Sequence, residues 1–162
     1  MIEIDVLCTQ VNSHYNNMPG INCWDEFKNA YNYKGTNPVI VHPPCAQWSR
    51  MKNFAIENDY TKSLAHFCFQ RVLDNGGIFE HPAGSSFFRE VGIQNKIISI
   101  DQHWFGFPAR KRTYLYFHKC EPIQLPLNFN AIENNVAGLH SSKRSTTTIN
   151  FAEYLIACIR NK

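Results

Sequence analysis

Two short apolar runs, Pro38 to His42 and Ile78 to Glu80, stop abruptly at prolines, and an amphipathic stretch lies between them. Short apolar runs without polar alternation are typical of strands buried on both faces of a sheet. From Tyr60 to Asp74, apolar residues recur at Leu64, Phe67, Cys68 and Val72, which is the spacing of one helix face. Asn75-Gly76-Gly77 closes that helix with backbone conformations that glycine permits. Strand, helix and strand in succession favour a parallel sheet covered by helices. Ile2 to Cys8 reads as a first strand, and Ile97 to Asp101 and Tyr114 to Phe117 as later ones. Thr9 to Gly20 reads as a loop, Cys23 to Tyr33 as a short helix, and Asn150 to Arg160 as a final helix with Phe151, Tyr154, Leu155 and Cys158 on one face. The expected fold is α/β and Rossmann-like, a three-layer sandwich around a mostly parallel sheet, with residues 1–162 forming one domain.

Composition limits the function classes. At 162 residues, a chain of this size buries roughly 70% of its unfolded surface and needs neither metal nor disulfide to fold. Six cysteines lie scattered without a Cys-x-x-Cys pair, and the first residues carry Glu3 and Asp5 instead of an apolar leader. Reduced thiols in a cytoplasmic setting, with no membrane partner, are the expectation. A net charge of +3 permits a nucleic-acid partner without demanding one, and 14% aromatic residues suit a surface that stacks on flat ligands. Arg110-Lys111-Arg112 and Lys143-Arg144 are local basic runs, the second read as a solvated face.

Ligand sites of open α/β sheets lie at the carboxyl ends of the strands, so the loops following the apolar runs are where chemistry is expected. The first is His42-Pro43-Pro44-Cys45-Ala46-Gln47-Trp48-Ser49. Its prolines stiffen the backbone, and a cysteine held on such a turn is a candidate nucleophile once a cation or helix start favours its thiolate. The alternative is a packed loop cysteine. The second is Phe79-Glu80-His81-Pro82-Ala83-Gly84-Ser85. A glutamate at a buried strand end must be paired or used, either as a cap or ion-pair partner, or to engage a ring nitrogen. The third, Asp101-Gln102-His103-Trp104-Phe105-Gly106-Phe107-Pro108-Ala109-Arg110-Lys111-Arg112-Thr113, combines stacking aromatics with phosphate-binding charge. Ser13, His14 and Tyr15 follow the first strand and share the edge with Cys45. They read equally as a surface loop or as holders of a phosphate, nucleotide or cofactor fragment. Trp48, Ser49 and Arg50 are similarly divided between packing and ligand contact.

Taken together, Pro43-Pro44-Cys45, Glu80-His81-Pro82 and Phe105-Gly106-Phe107-Pro108-Ala109-Arg110-Lys111-Arg112 resemble the cytosine-5 DNA methyltransferase family, above all its short phage and prophage relatives. The resemblance spans roughly residues 38 to 118. It implies a methyltransferase-like fold and a thiolate at Cys45 that attacks carbon 6 of a pyrimidine. It also implies that Glu80 engages ring nitrogen 3, and that Arg110 and Arg112 contact phosphates or the nucleophile loop. His42, Gln47, Ser49, His81 and Gln102, with Ser13 and Tyr15, become candidates for substrate or nucleic-acid binding. The partner is DNA, with the base flipped from the stack, or a pyrimidine nucleotide.

The family's glycine-rich turn after the first strand, which admits S-adenosylmethionine, has no counterpart here: Thr9-Gln10-Val11-Asn12-Ser13-His14-Tyr15 lacks glycine. The cofactor half is therefore truncated, and the site is missing, rebuilt or completed by a second subunit or a homodimer partner. His81 replaces the family's asparagine. Ala109, Lys111 and Thr113 stand where its Gln-x-Arg-x-Arg pattern falls, and residues 119 to 148 offer the sole candidate for a target-reading region. Three readings follow: a pyrimidine-modifying enzyme, whole or one subunit of a split one; a non-catalytic nucleic-acid binder; and a metal protein using His42, Cys45, His81, His103, His118 and Cys120.

Overall fold

The apolar runs do pair into one sheet in the computed structural model, which describes residues 1–49, 58–126 and 136–161. In chain order its strands are β1 (Ile4–Leu7), β2 (Ile21–Trp24), β3 (Val39–Val41), β4 (Gly77–Pro82), β5 (Ile97–Asp101) and β6 (Arg112–His118). In space they lie in the order β2-β1-β3-β4-β6-β5. Strand β1 pairs in parallel with β2 and β3, and β3 with β4, whereas β6 runs antiparallel to β4 and β5. The protein is thus α/β with a mostly parallel sheet. The reversal of β6 has a local effect: its first residues lie at the carboxyl end of β4, with Thr113 opposite Pro82.

Four α-helices are described: α1 (Asp59–Asn75), α2 (Phe87–Glu90), α3 (Ser141–Arg144) and α4 (Ile149–Arg160). Helix α1 starts on the Asn58 side chain, which accepts from the Thr61 amide, and buries Leu64, Ala65, Cys68, Phe69 and Val72. These join Leu7, Val39, Val41, Phe79 and Tyr116 with the α2 residues Phe87 and Phe88 in one core. Helix α4, capped by the Thr148 hydroxyl, packs Phe151, Leu155, Cys158 and Ile159 onto Ile4, Val6, Ile40, Ile78, Ile100 and Leu115. Full burial of each large apolar side chain contributes about 1.5–3 kcal/mol. Alternation along the strands assigns each residue to a face, because successive side chains point oppositely. Val39, Val41 and Phe79 face α1, while Ile40, Ile78 and Leu115 face α4.

The junction between α1 and β4 explains its paired glycines. Gly76 and Gly77 have φ of +83° and +130°, and a Cβ on Gly77 would lie 1.8 Å from the Val39 carbonyl oxygen. Only glycine lets β4 approach β3 this closely.

Three sequence expectations change. Cys23 to Tyr33 is not a helix: Ile21–Trp24 is the edge strand β2, in register with β1 from Ile4↔Ile21 to Leu7↔Trp24. Just beyond it the Asp25 carboxylate accepts from the Phe27 and Lys28 amides, a local turn that competes with helix, and the chain forms only a 3₁₀ turn at Ala30–Asn32. Pro82 does not end β4 early, because its missing donor falls at the strand's last residue, where Ala83 resumes bonding to the Arg112 carbonyl. The loop Thr9 to Gly20 holds a 3₁₀ turn, His14–Asn17. Arg50 and residues 127–135 of the candidate target-reading segment lie outside the described residues. Among the described residues, no helix is long and apolar enough to cross a membrane.

Candidate functional site at the carboxyl edge of the sheet

Strand register builds the centre of the site. Ile40 pairs with Ile78 and Val41 with Phe79, so the next residues, His42 and Glu80, stand side by side on the α4 face. Their side chains meet, with His42 Nδ1 3.0 Å from Glu80 Oε2 and each side chain 13% exposed. From the loop after β1, Tyr15 reaches the same face and places its hydroxyl 3.2 Å from His42 Nε2. Tyr15 is buried, and its 3₁₀ turn is fixed by Ser13, whose hydroxyl accepts from the Tyr15 amide. Burial, reinforced by the Glu80 charge, raises the Tyr15 phenol well above its ordinary range, so it remains protonated.

Burial pushes the Glu80 carboxyl upward. The His42 hydrogen bond and the electrostatic pull of His42 and Lys111 outweigh it, so the net shift is downward and Glu80 is held ionised.

Cys45 sits half-buried at the start of a turn in which the Trp48 and Ser49 amides both donate to its carbonyl. The loop is held from the other side: Trp48 packs on Phe87 and donates its indole N–H to Glu90 at 2.8 Å, and Ser86 donates to the Trp48 carbonyl. Burial raises the Cys45 thiol and the Glu80 charge adds to this, while Lys111 partly offsets both. The resting thiol is therefore protonated and poised between an anion and a cation. Burial lowers the Lys111 ammonium, which the charges of Glu80 and Cys45 partly restore. Lys111 Nζ also donates to the Thr146 carbonyl at 3.0 Å and lies 4.8 Å from the centre of the Phe107 ring. The chain after α3 thus crosses this edge, where Gln10 also reaches the Ser145 hydroxyl.

Of the residues singled out from sequence, Tyr15, His42, Cys45 and Glu80 converge. His81 does not join them: it points to the α1 face, 1% exposed, with Nδ1 3.0 Å from Ser85 Oγ. Burial holds its imidazole down at about 4, so it is neutral at pH 7; the Pro43 and Pro44 carbonyls face the ring, yet neither makes a well-formed hydrogen bond to Nε2. Arg112 is exposed on the face opposite Glu80, since Thr113 and Leu115 occupy the Glu80 side. Arg110 is drawn to Asp101 at 3.2 Å with its side chain 66% exposed. Gln102 is buried and donates to Thr113 Oγ1 at 2.8 Å, and its Oε1 has no partner among the described residues. Gln47 is half-buried in the nucleophile loop, and Ser49 Oγ donates to the Ala46 carbonyl.

The residue that sequence reasoning passed over is Lys111. Its signal was available: counting back by twos from the buried Leu115 and Thr113 puts Lys111, not its arginine neighbours, on the Glu80 side. The metal reading required His42 and His81 to converge, and the sheet separates them onto opposite faces. Among the described residues, no group of three or more histidines, cysteines or carboxylates is arranged to hold a metal ion.

A separate groove of about 380 Å³ lies at the ends of β1 and β2, lined by Thr9, Gln10, Val11, Asn12 and Glu26. The turn into it is made by Cys8 at φ +62°, a conformation that glycine adopts more easily. No family model, curated protein or solved structure matches the chain.

Proposed function

We propose that this protein modifies a pyrimidine base, in DNA or as a nucleotide, by transient addition of Cys45 to ring carbon 6 with Glu80 engaging the ring edge. The observation that carries the reading is that Cys45 and Glu80, at the carboxyl ends of adjacent strands β3 and β4, lie close enough to feel each other's charge, with Lys111 acting on both. Addition of a thiolate at carbon 6 turns carbon 5 into an enamine-type nucleophile, and a proton or hydrogen bond at nitrogen 3 takes up the electron pair displaced into the ring. The three motifs in order support kinship with cytosine-5 DNA methyltransferases. A sheet with one reversed strand beside the far edge supports a methyltransferase-like form of the fold.

S-adenosylmethionine, which that kinship implies, fits the groove beyond β1 only in part. Glu26 suits a hydroxyl-bearing ligand, but every residue of Thr9–Asn12 carries a Cβ where a backbone cradle would need to be bare. No transfer step is therefore assigned to a methyl donor. A non-catalytic nucleic-acid binder is the second reading, and a specific observation favours it: Lys143 and Arg144 are exposed cations just before Thr146, whose carbonyl meets Lys111 at the site.

The two readings separate by exchange at carbon 5. Addition at carbon 6 makes a hydrogen on carbon 5 exchange with solvent, and no second substrate is needed. DNA and nucleotides tritiated at carbon 5 are to be incubated with and without S-adenosylmethionine, with Cys45→Ser as control. Tritium release that depends on Cys45 supports the enzyme. Tight DNA binding without release supports the binder.

A further inference from the structure

We propose that Tyr15, His42 and Glu80 work as one proton-carrying chain, in which Glu80 touches the pyrimidine and His42, held by Tyr15, is the positioning residue that supplies the proton Glu80 delivers. The inference rests on the pyrimidine-addition reading and goes beyond it by assigning two residues outside the motif pair.

Geometry supports the order of the chain. His42 Nδ1 faces Glu80 at 3.0 Å and its Nε2 faces the Tyr15 hydroxyl at 3.2 Å, so both ring nitrogens are engaged. A carboxylate only accepts, so the Nδ1 position carries hydrogen and donates to Glu80. A phenol does both. It donates to a bare Nε2 when the ring is neutral and accepts from Nε2–H when the ring is an imidazolium. Tyr15 can therefore hold His42 in one place while a proton arrives and leaves. Tyr15 and His42 also lie with ring centres 5.7 Å apart, and the tyrosine is 1% exposed, so its position is set by packing.

Around Glu80 stand His42 from the end of β3, Lys111 from the start of β6, and His81 on the opposite face of its own strand. Cys45, on the loop after β3, feels Glu80 and Lys111. Tyr15 feels Glu80 and, from β2, Cys23.

The proton balance is closed. Cys45 gives its thiol proton to solvent, and its sulfur forms the bond to carbon 6. The carbon 5–carbon 6 electron pair shifts into the ring and out to nitrogen 3, which receives its proton through Glu80: the carboxylate accepts the Nδ1 proton of the His42 imidazolium as it passes one to nitrogen 3, and ends ionised as it began. The neutral His42 left behind recovers a proton from solvent.

The test compares wild type, His42→Gln, Tyr15→Phe and Cys45→Ser. The rate of covalent trapping on DNA carrying 5-fluorocytosine is followed from acid to alkaline pH by intact-protein mass. For wild type the rate is bell-shaped, rising with the thiolate and falling at high pH as the chain loses its proton. His42→Gln is slowed by about 100-fold, of the order of a lost general acid, and its alkaline limb moves. Tyr15→Phe keeps a bell with a smaller loss. A His42→Gln variant that traps at the wild-type rate with an unchanged profile overturns the chain while leaving Cys45 addition intact. If wild type does not trap, the addition reading fails, and the chain is still tested by the ¹⁵N shifts of His42. A ring with hydrogen on Nδ1, whether the neutral tautomer or the imidazolium, agrees with the chain, and a neutral ring with hydrogen on Nε2 alone overturns it.

Discussion

His81 makes folding stability depend on pH between about 5 and 6.5, above the ordinary carboxylate range. It is surrounded by Trp48, Phe79, Phe87 and Phe88, and burial lowers its imidazole to about 4, against an ordinary 6.5. A histidine that resists protonation when folded favours the unfolded chain in acid. The loss begins as pH falls below 6.5, and it levels off once pH passes below the folded value. At pH 5 the unfolded side chain lies one and a half pH units below its ordinary value, while the folded one has barely begun to take up a proton. At about 1.4 kcal/mol per unit, the folded state loses about 2 kcal/mol relative to pH 7. In urea, with a slope of about 2 kcal/mol per molar, the midpoint falls by about 1 M. The matching variant is His81→Phe, which keeps a ring among rings and removes the titration. Urea unfolding of both proteins at pH 7 and pH 5 isolates the effect, because the remaining histidines contribute equally to the two. The reasoning is refuted if His81→Phe loses as much stability between pH 7 and pH 5 as wild type does.

Three further outcomes follow from the geometry. Gly77→Ala forces a Cβ onto the Val39 carbonyl at 1.8 Å and a side chain into φ +130°; thermal or urea unfolding should show a loss of about 4 kcal/mol or a chain that does not fold. Lys111→Met removes the cation that favours the Cys45 thiolate, so iodoacetamide should label Cys45 roughly three- to ten-fold more slowly at neutral pH while the circular dichroism spectrum is retained. Because Glu80 is held below its ordinary value by His42 and its cationic neighbours, its share of stability is present above the ordinary carboxylate range and disappears as pH falls through the lowered one. Glu80→Gln should therefore flatten the stability loss below pH 4.5 but not the one above it, a pattern that acid titration of urea midpoints reads directly.

The parts of this architecture that were legible in the sequence are those that local pattern decides. Helix α1 and strands β3, β4 and β5 announce themselves by apolar spacing and by the prolines and glycines that bound them. Strand β2 does not: Ile21-Asn22-Cys23-Trp24 is an edge segment with one covered side, and what makes it a strand is its pairing with β1, a contact outside the window. The same holds within the site. Cys45 and Glu80 stand out as a cysteine and a glutamate beside prolines, whereas Lys111 is hidden between two arginines. Its role depends on the reversal of β6, which decides which member of the basic run faces Glu80. His42 and His81 look alike in sequence, each beside a proline near a strand end, and one residue of strand parity sends them to opposite sides of the sheet. Which one meets Glu80 follows from the β3–β4 register alone.

The central claim is that Cys45 is a nucleophile toward a pyrimidine, and mapping the site of covalent attachment tests it most directly. Wild-type protein trapped on 5-fluorocytosine or 5-fluorouracil DNA is digested with trypsin and nuclease, and the modified peptide is sequenced by tandem mass spectrometry. One nucleotide mass is expected on the peptide containing Cys45, and none on those containing Cys8, Cys23, Cys68, Cys120 or Cys158. Attachment at another cysteine, or adducts that persist in Cys45→Ser, would contradict it.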